Sequence, residues 1–310
     1  MALVFENLSR YQIDALPRDR TVFLIPVAGL EDHGPHLPVG LDLREAVHQA
    51  YRVATRLESI PTDPGWVGVI LPPSPIAVDS NTDVLRLRTR GSSLRDWLVD
   101  TAQSLHRRGF RHFACISGTL GPKQLTAIEE AGRSFRRWNN GLFLLRMRAP
   151  EKTVTFCSLS SALVDWPTVR RSPMMADPLE HGGRRDVSIA LALSSDAEKI
   201  PRPPLLGAPE NYFKRLRVRL AQRREGYWGS APMDGSREEG EQLLEEQADL
   251  LVARLRRVLE GGEDPDRVFR SGYSYFLPNH SMFYGWLWSI GMTIAILSWV
   301  TLSVQLLLSR

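Results

Sequence analysis

The sequence predicts an α/β fold of three layers, a mostly parallel sheet between two layers of helices, followed by one C-terminal transmembrane helix. Three observations carry this. Short apolar runs alternate with longer stretches of helical periodicity over the first 260 residues. Those runs lack the apolar/polar alternation of a half-exposed strand, as expected where helices cover both faces of a sheet. Finally, the stretch from Ser281 to Ser309 carries no charged residue.

Taken in order, Val22 to Val27 (VFLIPV) forms the first strand, and residues 43–57 (LREAVHQAYRVATRL) have helical spacing. Val67 to Leu71 is a second strand, ended by Pro72 and Pro73, which have no N–H to give a ladder. Leu94 to Arg108 reads as a helix with Gly109 as its stop. Phe110 to Ser117 (FRHFACIS) is a third strand, followed by a Gly-rich turn and a helix from Lys123 to Trp138. Leu142 to Arg146 and Thr153 to Cys157 are further strand candidates. Asp186 to Leu193 starts another helix, and Ser236 to Leu259 is a long amphipathic one. The Gly-, Pro- and charge-rich stretch after residue 260 reads as a linker. The expected organisation is therefore an α/β domain over 1–260, a linker over 261–280 and a membrane span over 281–309. In such a sheet ligands bind outside the carboxyl ends of the strands, where the loops after Val27, Leu71 and Ser117 converge.

Composition narrows the function classes. The 310 residues, 43% hydrophobic and 24% charged, exclude a disordered chain, a collagen-like repeat and a disulfide-stapled miniprotein. The net charge of +4 is slight and the bases are interleaved with acids, so no nucleic-acid partner is expected. Cys115 and Cys157 lie far apart in apolar runs, as buried thiols of a reducing compartment do. A span needs about 20 apolar residues, and 281–309 exceeds that, with Tyr284, Trp286 and Trp288 placed as an interfacial belt. No secretory signal is visible at the N-terminus. Arg254, Arg256, Arg257, Arg267 and Arg270 on the amino side of the span imply a single-pass C-terminal anchor in the lipid bilayer, with the soluble domain in the cytoplasm.

The chemistry concentrates in the loop after the first strand, PVAGLEDHGPHLPVGLDLREA. Within twelve residues it holds Glu31, Asp32, His33, His36 and Asp42. Imidazole and carboxylate together suit Zn²⁺ or Mn²⁺. Glu31 and His33, two apart, point the same way if extended, and Asp42 either caps the next helix or bridges two ions.

The string Glu31-x-His33-Gly34-Pro35-His36-Leu37-Pro38-x-Gly40-x-Asp42 resembles the signature of the creatininase family, creatinine amidohydrolase and its metal-dependent relatives. Two further stretches are similar to the family: Glu180-His181-Gly182-Gly183-Arg184-Arg185-Asp186-Val187-Ser188 and Gly226-Tyr227-Trp228-Gly229, so the resemblance spans about residues 3 to 260. It implies that Glu31, His33, Asp42 and Asp186 are metal ligands of a centre holding one or two divalent ions (zinc, manganese or iron). It further implies that Glu180 and His181 form an acid/base pair moving a proton to a leaving nitrogen, and that the protein is a homo-oligomer. The chain departs from the family after the third strand. The family carries a ligand His there, whereas this chain reads Ser117-Gly118-Thr119-Leu120-Gly121-Pro122, with Thr119 at the imidazole's place. Asp83, His112 and His181 are the nearby groups that could substitute. Two functions follow as expectations: metal-dependent hydrolysis of a non-peptide or cyclic amide C–N bond in a small-molecule substrate, or an inactive pseudoenzyme kept as a membrane-tethered binding or scaffolding module.

Overall fold

Five strands, all paired in parallel, make the central sheet: β1 (Leu3–Val4), β2 (Thr21–Val27), β4 (Val67–Ile70), β6 (His112–Ser117) and β7 (Thr155–Ser158), in the spatial order β1-β4-β2-β6-β7. A separate antiparallel pair, β3 (Leu30–Glu31) with β5 (Arg86–Leu87), sits in the connections. The computed structural model describes residues 2–58, 65–78, 86–140, 154–165, 167–168, 180–194, 226–228, 234–275, 290–299 and 301.

The layering follows from the strand sequences. Val22, Leu24, Ala114, Ile116 and Cys157 face one side and bury against α2 (Leu41–Glu58) and a long helix, α6 (Arg237–Leu259). Their neighbours Phe23, Ile25, Val27, Phe113, Cys115 and Phe156 face the other side, under α3 (Gly91–His106) and α4 (Pro122–Asn140). Alternate residues go to opposite faces, and both faces are covered, so the strand interiors are apolar on both sides and the buried polar residues Thr21, Ser117, Thr155 and Ser158 stand at the strand ends. Phe23 shows the density of this packing, its ring centroid 4.8 Å from Phe110 and 6.0 Å from Phe113. Burial of such a side chain contributes about 2–3 kcal/mol. Both cysteines are free and buried, as their apolar runs suggested.

Some elements were beyond periodicity. Two-residue strands such as β1 and β3 cannot show any. The short helix α1 (Arg10–Ala15) is announced only by its capping box, in which Ser9 Oγ accepts from the Gln12 N–H and the Gln12 side chain accepts from the Ser9 N–H. The helix expected from Asp186, α5 (Arg184–Leu193), starts two residues earlier, behind Gly183. The strand candidate at 142–146 lies outside the described residues.

The linker reading of 261–280 needs correction. Its described part, through Tyr275, is docked on the domain: Val268 and Phe269 are buried in the core under α6. The Ser271 N–H donates 2.8 Å to the buried Glu129 carboxylate, which also accepts from the Ser161 and Ser274 hydroxyls. Two apolar residues and a serine are too few to show a period, which is why the segment read as linker. Most of the predicted span at 281–309 lies outside the described residues. Among those described, no helix is long and apolar enough to cross a membrane. Residues 290–299 are helical, and Ile290, Met292, Ile294, Ile296, Leu297 and Trp299 on them are all exposed.

Candidate metal centre

The loop that leaves β2 folds back on itself, with the Glu31 N–H donating to Val39 O (3.0 Å). This buries Glu31 and His33 beneath the first turn of α2, where Asp42 sits. His33 Nδ1 is 3.1 Å from Glu31 O. A carbonyl only accepts, so Nδ1 carries the proton there and Nε2 is aimed inward, 3.1 Å from Asp42 Oδ1. Burial alone would lower the His33 pKa, but the Asp42 carboxylate overrides it and raises it to about 10. Burial likewise opposes ionisation of Asp42, yet His33 and the Thr119 hydroxyl hold it down at about 2.

The second stretch comes in from a separate part of the chain. His181 and Trp228 exchange both backbone hydrogen bonds, 3.0 and 2.8 Å, so the second and third motifs meet as an isolated antiparallel bridge. The His181 ring stacks between His33 (4.3 Å) and Trp228 (4.7 Å), and its Nε2–H donates 2.7 Å to Asp32 O. Burial and the neighbouring His33 lower its pKa to about 4, so it is neutral with its lone pair at Nδ1. Gly182 adopts φ +63°, a conformation costly for a side chain, and a Cβ there would come 2.5 Å from His33 O. That turn lets Gly182 N–H donate 2.7 Å to Asp186 Oδ2 in the first turn of α5. His33, His181 and Asp186 thereby offer three ligand atoms that lie within 4.8 Å of one another.

The loop that leaves β6 closes the other side. Thr119 Oγ1 lies 2.9 Å from Asp42 Oδ2 and 3.1 Å from Glu31 Oε1, and accepts from Gly29 N–H at 2.9 Å. Its one proton serves one carboxylate at a time. Gly118 makes this possible, because a Cβ there would lie 1.9 Å from Asp42 O. The loops after β2 and β6 therefore do converge, as the carboxyl-end rule required.

Each residue singled out from the sequence has a place. Glu31, His33, Asp42, His181 and Asp186 share this buried cluster. Glu180 is beside it, and its Oε1 accepts from Arg185 N–H (2.7 Å), which caps the start of α5. Of the described candidates to substitute for the missing imidazole, His181 is near and His112 is not. His112 opens β6 at the opposite end of the sheet from Ser117, about 16 Å away at ~3.3 Å per residue, so it does not substitute for the imidazole. Asp83 lies outside the described residues. Two members went unnoticed in the sequence. The buried Arg185 donates to Glu45 Oε1 (2.7 Å) and Asp186 Oδ1 (3.0 Å), forming a buried ion-pair network under the cluster. Burial raises the Glu45 pKa against the pull of Arg185. The signal for Glu45 was its place three residues after Asp42, on the same helix face.

The creatininase family model, described as creatinine amidohydrolase, matches residues 6–255. Among curated proteins none matches the chain. Among solved structures, that of a creatinine amidohydrolase (creatininase) is 21% identical, covers 84% of this chain and 98% of its own, and superposes with a TM-score of 0.60. A manganese form of creatininase gives the same identity and TM-score over 84% and 100% of the two chains. A candidate creatinine amidohydrolase from Bacteroides fragilis NCTC 9343 is 17% identical, with TM-score 0.56 over 84% and 97%. At these identities the likeness speaks for the fold.

Proposed function

Because the chain belongs to the creatininase family, we propose that it is a membrane-anchored, metal-dependent hydrolase of a non-peptide or cyclic amide C–N bond in a small molecule. The observation that carries this is the meeting of two distant sequence stretches, 31–42 and 180–186, in one buried cluster of imidazole and carboxylate at the carboxyl ends of the strands. That donor set suits a divalent ion such as zinc or manganese, and related solved structures include a manganese form and a Zn–Zn form of creatininase. His33, His181 and Asp186 would hold it, with Asp42 at its border. When bound, such an ion supplies Lewis acidity and an acidified water.

The chain's own groups do the rest. Asp32 O fixes the tautomer of the neutral His181 and Glu31 O fixes the ring of His33, which would give up its Nε2 proton to an incoming ion, so neither ring has to reorient as substrate arrives. Trp228 covers the outer face of His181 and limits water there. Glu180, partly exposed and next to His181, is the group placed to return a proton to a leaving nitrogen. Its test is release of amine from a panel of small cyclic and linear amides by the zinc-loaded full-length protein, and loss of that release in Asp42→Asn. A second reading has Thr119 in its favour: with that hydroxyl between Glu31 and Asp42, the domain binds an amide without cutting it and serves as a tethered pseudoenzyme. Metal loading and ligand binding with no turnover would favour it.

The anchor belongs to the proposal too. The described helical residues 290–299 expose apolar side chains all around, which suits surroundings of lipid. Protease added to intact cells is expected to leave the domain whole, and cleavage there would place it on the other side of the membrane. The homo-oligomer expected from the resemblance is checked by sedimentation in detergent.

A further inference from the structure

We infer that this chain binds one divalent ion rather than two, on His33, His181 and Asp186, and that the Thr119 hydroxyl takes the place of a second ion. This rests on the metal-dependent reading above and specifies its stoichiometry and ligands. A two-ion centre needs a carboxylate shared between both positions, and Asp42 has the orientation for it. Its Oδ1 faces His33 Nε2 at 3.1 Å, and its Oδ2 faces Thr119 Oγ1 at 2.9 Å. Between Asp42 Oδ2 and Glu31 Oε1, however, stands Thr119 Oγ1, within hydrogen-bond distance of both. Its one proton serves either acid in turn and one lone pair is taken by Gly29 N–H, so the hydroxyl occupies the place between the two acids that a bridging cation would need. A neutral hydroxyl is also a weak ligand for a divalent ion beside imidazole and carboxylate.

The other position has the opposite character. His33, His181 and Asp186 bring their ligand atoms within 4.8 Å of one another; each histidine is fixed from behind by a bond at its other nitrogen, and both oxygens of Asp186 accept a hydrogen bond while keeping a lone pair. Glu31 O holds the far nitrogen of His33, Asp32 O that of His181, and Gly182 N–H with Arg185 the Asp186 carboxylate. The ion-binding groups thus lie on the β2–α5 side of the cluster rather than on its β2–β6 side. His181, which the resemblance casts in proton transfer, becomes a ligand.

The experiment uses the full-length protein in detergent, stripped with a chelator and reloaded with Zn²⁺, its metal content measured by elemental analysis. One equivalent per chain is expected. His181→Ala and Asp186→Asn should each weaken Zn²⁺ binding by about 10–100-fold or more, whereas Glu31→Gln should change it by less than about threefold. Thr119→His should raise the content to two. Loading the unaltered protein with Cu²⁺ and counting coordinated imidazoles by pulsed electron spin resonance needs no variant: two are expected. Two equivalents of Zn²⁺ in the unaltered protein, or a single coordinated imidazole, would overturn this inference and leave the metal-dependent reading intact. No bound metal at all would overturn both.

Discussion

Two loops leave neighbouring parallel strands at register partners, Val27 of β2 and Ser117 of β6, and they do different things. The β2 loop delivers Glu31 and His33, and through the next helix Asp42, into the buried cluster. The β6 loop delivers only a hydroxyl, from Thr119. Its backbone nonetheless follows the site closely: Gly118 N–H donates to Val27 O (3.1 Å), and its Cα abuts Asp42 O. The difference teaches that the path of a loop and the chemistry of its side chains are separable. A backbone bond and a glycine set the close approach of the β6 loop, and the side chain at 119 sets what that loop offers the cluster.

The sharpest way to break this comparison is to change one residue in each loop. His33→Ala should weaken Zn²⁺ binding by about 100-fold, at the upper end of what even a supporting partner costs. Thr119→Ser, which keeps the hydroxyl, should leave it within about threefold. Competition with a chromogenic chelator reads both, and equal losses would mean that the two loops share the ion. Next in size, Gly118→Ala forces a methyl group against Asp42 O, and overpacking of this kind costs about 2–3 kcal/mol. Urea unfolding should show it, and a wild-type midpoint would mean that the close approach of the two loops is not maintained. Thr119→Val, measured on chelated protein, removes the hydroxyl that Gly29 N–H donates to and that both acids face, at a cost of about 1–3 kcal/mol. A gain in stability would contradict the hydroxyl's bridging role. Smallest in its structural effect is Glu180→Gln, which keeps an acceptor for Arg185 N–H and should alter stability by less than about 0.5 kcal/mol. If Glu180 moves a proton, the same variant slows amide hydrolysis by about 100-fold or more, and an unchanged rate would leave it as a helix cap alone.

What the sequence determined by itself was whatever is local or periodic. The apolar runs of β2, β4, β6 and β7 and the spacing of α2, α3, α4 and α6 placed the layers, because strands covered on both faces are apolar through their interiors. The compact motif from Glu31 to Asp42 was legible since its donors lie within one loop. Tertiary structure decided the rest. Only the fold buries Arg185 between Glu45 and Asp186, and the docking of 265–275 onto Glu129 hung on contacts between residues more than a hundred positions apart. His112 and His181 were equal candidates by composition. Only the strand direction sent one to the amino end of the sheet, and only the bridge to Trp228 brought the other against His33. Nor can a sequence say that a threonine lies between two carboxylates, because hydrogen bonding and ion binding depend on distances of a few ångströms between segments that the chain order leaves unrelated.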